Sequence, residues 1–223
     1  MKACRGRAMQ NLKQSLRAFG QNFMRTLKMS RAEFTKKLVY TATFVAFGIL
    51  FPMVFHSLGP TAGRIILPMH IPVLLCGIIC GWPFGIACGL LSAGLSHLFT
   101  QMPPMAMLPS MLCELTIYGG VSGLLFHFVR TKNTVLDLYI VLISSMLLGR
   151  AAYGVLNALI FNVGAYSFSI WVTAAFVTSL PGIIIQILLI PSLVLTFEKL
   201  KLIPVRYAPE KEEPPKEAVP ISS

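Results

Sequence analysis

Charge is scarce in this sequence. Only 12% of its 223 residues are Asp, Glu, Lys or Arg, about half the share of an ordinary soluble domain. With 55% hydrophobic residues and a mean hydropathy of +0.73, a soluble fold would lack the polar surface to cover its apolar side chains. The soluble enzyme and the free nucleic-acid binder are excluded on that ground, and no nucleic-acid partner is expected. Acids are the scarcest of all. Eight Asp and Glu against 19 Lys and Arg leave a net charge of +11. Few charges with a large positive excess fit a membrane protein whose cations crowd one side.

Other absences narrow the chemistry. No Gly-x-Ser-x-Gly, His-Glu-x-x-His or paired acidic motif occurs, so no catalytic residue is assigned and no cofactor is expected. No Gly-x-x-x-x-Gly-Lys-Ser/Thr occurs either, so any ATP-driven step belongs to a partner. Long apolar runs are missing before Leu38, which argues against a cleaved secretory signal. Four of the five cysteines, Cys76, Cys80, Cys88 and Cys113, fall within apolar runs and Cys4 precedes them, which argues against a disulfide framework. Cys76 and Cys80 share a helix face that could suit a soft metal, but small packing residues are the plainer reading. No metal site is assigned.

What is present is a series of apolar stretches. At about 20 residues per span, the length suits roughly six transmembrane helices. They are read at about Leu38 to His56, Ile65 to Cys80, Phe84 to Phe99, Met107 to Val129, Leu136 to Phe161 and Phe168 to Phe197. The second is short and holds Pro68 and Pro72. Residues 1–37 form a basic segment with ten of the Lys and Arg. Between Met9 and Leu27 its apolar residues recur every three or four positions, as in an amphipathic helix lying on anionic lipid. Residues 38–201 make the membrane domain. Residues 202–223, rich in Pro, Glu and Lys, are expected to be a disordered cytoplasmic tail. With both termini inside, almost every cation lies in the cytoplasm, as the positive-inside rule requires. Gly77, Gly81, Gly85 and Gly89, with Gly119 and Gly123, are read as close helix packing.

Ionisable groups inside spans are costly and default to functional hypotheses. Here they are His70, His97, Glu114, Arg150 and, near an inner end, His127. Ser110, Glu114 and Tyr118 share one face of the fourth span, and Arg150, Tyr153 and Asn157 share one face of the fifth. The two faces can line one cavity, in which Arg150 binds an anionic or carbonyl group and Glu114 accepts donors. A buried Glu114–Arg150 ion pair that merely holds the bundle is the competing reading. His70, between two prolines, either joins the cavity or caps a broken helix.

The first span also contains Ala42-Thr43-Phe44-Val45-Ala46, with both alanines on one face. Taken with the six spans, Leu67-Pro68-Met69-His70-Ile71-Pro72, Gly81-Trp82, Met102-Pro103-Pro104, Glu114 with Tyr118-Gly119, and Gly149-Arg150, this resembles the substrate-binding S component of energy-coupling factor (ECF) vitamin transporters. The resemblance runs from about Leu38 to Lys201. It implies an all-α bundle of six transmembrane helices, N-in and C-in, in a bacterial plasma membrane. Such a component captures a vitamin-like small molecule from outside and delivers it with a transmembrane coupling subunit and two ATPase subunits. By the same resemblance Ala42 and Ala46 would contact the coupling subunit. Arg64 and the loop Ser57 to Gly63 would form an outer lid, and His70, Glu114, Tyr118, Arg150, Tyr153 and Asn157 would form the site. Nickel and cobalt members begin Met-His, whereas this chain begins Met1-Lys2-Ala3-Cys4, which argues against a metal cargo. A deep Arg150 suits pantothenate or another small carboxylate; riboflavin, folate and a queuosine precursor stay open as alternatives. The residues alone also leave room for a stand-alone secondary carrier or channel for a small polar solute.

Overall fold

A computed structural model describes residues 30–57, 66–161, 167–203 and 206–207. The segment from Met9 to Leu27, Arg64 and most of the C-terminal tail lie outside the described residues. Within them every regular element is helical: α1 (Arg31–Ser57), α2 (His70–Cys80), α3 (Trp82–Thr100), α4 (Leu108–Phe128), α5 (Thr134–Leu156), α6 (Phe168–Val172) and α7 (Leu180–Lys199). One π-helical turn, Asn157–Phe161, prolongs α5, and a second, Thr173–Val177, follows α6.

Five of these helices are long and apolar enough to cross a membrane, namely α1, α3, α4, α5 and α7. The second of the six expected spans is shorter than the others. Its 11 residues reach about 16 Å at 1.5 Å per residue, roughly half the hydrocarbon thickness. The Leu67–Met69 turn at one end and Gly81 at the other set its length. Gly81 sits at φ +97°, a conformation open to glycine and strained for other residues. It reverses the chain into α3. The last expected span is also divided, because a turn at Thr178 and Ser179 separates the π-helical segment from α7.

Helix α4 is packed against α2, α3 and α5. The approach is close because glycines meet backbone to backbone. A Cβ on either Gly77 or Gly85 would strike the Gly119 carbonyl oxygen, and one on Gly123 would strike the Gly77 carbonyl. The small-residue positions read from sequence therefore join three helices. Leu74, Leu115, Leu138, Leu142 and Ile190 are fully buried around this contact. Helix α1, by contrast, turns Leu50, Met53 and Val54 outward.

The end of the bundle where α1 and α5 begin is closed by a polar cluster. Asp137, fully buried in the first turn of α5, accepts from the Thr131 amide at 2.8 Å and the Thr131 hydroxyl at 2.6 Å. Its other oxygen accepts from the Tyr207 hydroxyl at 2.8 Å and lies 2.9 Å from Arg206 Nε. The Arg206 guanidinium also donates to the Val129 carbonyl and lies 3.8 Å from the centre of the Phe126 ring. Its backbone amide donates to Glu198 at 3.2 Å. Arg206 and Tyr207, within the stretch expected to be disordered, are thus bound to the bundle. A pair of alternating polar and aromatic side chains found a buried carboxylate, which outweighs the polar composition around them.

Candidate functional site

The opposite end holds a cavity of about 340 Å³. Its wall comes from Pro52 of α1, the Leu67–Met69 turn, His70 of α2 and the Met102–Met107 loop. Glu114, Arg150 and the Ala174–Ser179 segment complete it. The ends of five chain segments converge there because α2 stops short and leaves room that a full span would fill.

The two polar faces read from sequence do meet, as three rungs between α4 and α5. In the first, Ser110 Oγ donates to Asn157 Oδ1 at 3.2 Å. In the second, Glu114 Oε1 lies 3.6 Å from Arg150 Nε. In the third, the ring of Tyr118 lies against Gly149, where a methyl group would strike it. Only the middle rung, with Tyr153 and His70, lines the cavity. Tyr118 is fully buried behind Glu114 and donates to its Oε1 at 2.9 Å. Asn157 is buried beside the cavity, with its amide donating to the Tyr153 carbonyl at 2.8 Å. These two hold the site from behind. His97, for its part, bonds the Pro103 carbonyl through Nδ1 at 2.7 Å and so fixes the loop that forms one wall.

The charges at the floor are balanced and incompletely bonded. Glu114 Oε1 lies 3.8 Å from His70 Nε2 as well as 3.6 Å from Arg150. Both separations exceed the roughly 2.7–3.2 Å of a hydrogen bond. The ion pair therefore neutralises Arg150 without using its donors. Arg150 Nε and Nη2 and both ring nitrogens of His70 are buried with no hydrogen-bond partner among the described residues. Four such atoms at one place are unusual, because buried donors left unpaired cost free energy unless a ligand or water meets them.

Two further residues, Trp171 and Gln186, shape this floor and were not singled out from sequence. Trp171 of α6 packs its ring against Gly154 and donates from Nε1 to the Arg150 carbonyl at 3.0 Å, so it holds the backbone that carries the guanidinium. Gln186 of α7, fully buried, reaches the Leu67 carbonyl at 3.5 Å and ties α7 to the turn before His70. Leu67 itself sits at φ +52°, a strained value for a branched side chain. An amide inside an apolar helix was the available signal for Gln186, but it carries no charge. The alanines Ala42 and Ala46 lie far from the cavity wall, exposed one turn apart on α1. No group of three or more His, Cys, Asp or Glu able to hold a metal is found among the described residues.

Comparison with known proteins gives one family. The ECF transporter, substrate-specific component, matches residues 36–194. No curated protein and no solved structure matches the chain. The matched stretch begins within α1 and ends within α7, so it contains the whole cavity. It covers well over half of the sequence, and the chain belongs to the family of substrate-specific components of ECF transporters.

Proposed function

We propose that the cavity faces the exterior and captures a small water-soluble carboxylate for import, pantothenate being the first candidate. The observation that carries this reading is Arg150, a buried guanidinium at the cavity floor with Nε and Nη2 unpartnered among the described residues. A carboxylate is the group that a guanidinium in a cavity wall recognises best. Glu114 holds the guanidinium's charge in a low-dielectric place until cargo arrives, and His70 offers a further donor. Tyr153 lines the wall, and Tyr118 and Asn157 support it. Arg64 is assigned to a lid over the mouth. Neither cofactor nor metal has a role in this scheme, and no reaction is catalysed.

Orientation follows from the cations. Arg31, Lys36, Lys37, Arg130, Lys132, Lys199, Lys201 and Arg206 all lie at helix ends or loops on the side away from the cavity. In keeping with the positive-inside rule we assign that side to the cytoplasm. As a member of its family the chain works with coupling and ATPase subunits. We assign Ala42 and Ala46 to the coupling-subunit contact, since an exposed small-residue pair lets another helix approach closely.

The test is to purify the protein in lipid nanodiscs, identify retained small molecules by mass spectrometry and titrate pantothenate by calorimetry. Arg150→Gln should abolish retention and binding while the protein stays folded; unchanged affinity would move the site elsewhere. Separately, Ala42→Trp or Ala46→Trp should block co-purification with co-expressed coupling and ATPase subunits while leaving cargo binding intact. Normal assembly of both variants would remove α1 from the interface.

A further inference from the structure

Among the described residues that line the cavity, the charged ones form one cluster. This floor of His70, Glu114 and Arg150 is almost closed off, with relative exposures of 1%, 5% and 6%. The rest of the described lining has another character. Four methionines, Met69, Met102, Met107 and Met111, and four prolines supply eight of the 17 lining residues. Leu67, Ala174 and Ala175 add further apolar surface. Proline brings no backbone donor, and methionine brings only a weakly accepting sulfur. Hydroxyl groups on this part of the wall come from Tyr153, Thr178 and Ser179. Ser179 already donates to the Ala175 carbonyl at 2.6 Å. A cargo studded with hydroxyl or amide groups would leave most of them unpaired along this wall, at a cost for each one.

We infer that the cargo is an amphipathic monocarboxylate, with a compact anionic head on Arg150 and an apolar body lying along the methionine–proline wall. This rests on the small-carboxylate reading and narrows it away from pantothenate, whose body carries two hydroxyls and an amide. The volume of about 340 Å³ lies at the low end of the roughly 300–1,000 Å³ of ligand sites, so the body is short. The methionines set how strict the wall is. Their unbranched, polarisable side chains adapt to irregular shapes, so the site tolerates changes in the body's outline and rejects changes in its polarity. Met107 is 40% exposed at the mouth and gains cover only when such a body arrives.

The experiment compares probes with one head and different bodies on the protein in lipid nanodiscs, with empty nanodiscs as the partition control. Cyclohexylbutyrate has a saturated body, pantothenate has a polar one, and cyclohexylbutyramide keeps the first body without the charge. Cyclohexylbutyrate should bind about tenfold or more tightly than pantothenate, from the added apolar area buried. Arg150→Gln should remove its binding to the level of empty nanodiscs. Met107→Gln, at a position 40% exposed, should weaken cyclohexylbutyrate several-fold and narrow its advantage over pantothenate. Pantothenate binding as tightly as cyclohexylbutyrate, with both lost in Arg150→Gln, would overturn the apolar body and keep the carboxylate reading. The amide binding as well as the acid would overturn the anionic head, and with it both readings. Binding of neither acid would overturn both.

Discussion

At the end of the bundle away from the cavity Asp137 accepts three hydrogen bonds and faces a guanidinium at 2.9 Å. At the cavity end Glu114 accepts one hydrogen bond among the described residues, from Tyr118, and stands 3.6 Å and 3.8 Å from the cation and the imidazole beside it. Both carboxylates are buried and both have an arginine partner. The first site is closed in on itself by a tight local chain, with the 206–207 arm folded over it. The second is held open, because Tyr118 draws Glu114 to one side and Trp171 anchors the Arg150 backbone to the other. The Asp137 carboxylate is bonded through both oxygens, although Arg206 Nε, like Arg150 Nε, makes no hydrogen bond among the described residues. The Glu114 carboxylate is bonded through one oxygen and stands apart from its cation, as expected if that cluster serves a ligand.

Substitutions at the two ends should therefore fail in different currencies. The largest effect expected is Asp137→Ala, which leaves Arg206 beside a void and frees the 206–207 arm. Breaking a buried pair from one side costs about 3–5 kcal/mol. Thermal or denaturant unfolding in nanodiscs measures it, and cargo affinity should hardly change. A loss below about 1 kcal/mol, the range of an exposed pair, would erase the distinction between the two ends. Arg150→Gln is the mirror case. Stability should fall by less than in Asp137→Ala, because Glu114 loses an ion-pair partner standing at 3.6 Å but keeps the Tyr118 hydroxyl. Cargo affinity should fall about 100-fold or more, within the range for removing one partner of a desolvated charge pair. Calorimetry and an unfolding curve on the same sample separate the two quantities.

Gly149→Ala comes next. The added methyl would strike the Tyr118 ring, and overpacking of this kind costs about 1–3 kcal/mol. Because the displaced ring carries the hydroxyl that steadies Glu114, affinity should fall along with stability. A variant that loses stability and keeps full affinity would detach Tyr118 from the site.

The sequence makes the long helices legible because hydrophobic length is a local property. The expected starts at Phe84, Met107 and Leu136 fall within two residues of Trp82, Leu108 and Thr134. The meeting of Glu114 with Arg150 is legible for a similar reason: each lies on a polar stripe of period 3.6, and stripes in hydrocarbon have to face one another. What hydropathy misses is hydrogen-bond register. It cannot distinguish an α-helical turn from the π-helical turns at Asn157–Phe161 and Thr173–Val177, and it passes over the turn at Thr178 and Ser179 that divides the last span. It misses as well the direction in which a side chain leans. Tyr118 and Asn157 share faces with Glu114 and Arg150, yet both turn into protein contacts and not into the cavity. The 206–207 arm escapes notice because its anchor, Asp137, lies 69 positions away in sequence.

The smallest effects test whether the ends are separate. Tyr118→Phe removes the one hydrogen bond that Glu114 accepts among the described residues and keeps the ring against His70, 5.1 Å between centres. The stability loss should be about 1 kcal/mol. Affinity should fall several-fold, because a released Glu114 closes on Arg150 and competes with the cargo carboxylate. Combined with Asp137→Ala, the two losses should add to within about 0.5 kcal/mol. Gly149, against which Tyr118 packs, stands 12 residues along α5 from Asp137, about 18 Å of helix. No side chain spans that distance, so coupling would have to pass through α5 moving as a rod. A coupling above about 1 kcal/mol would mean that it does. The Asp137 cluster would then be sensing the state of the cavity as well as closing the bundle.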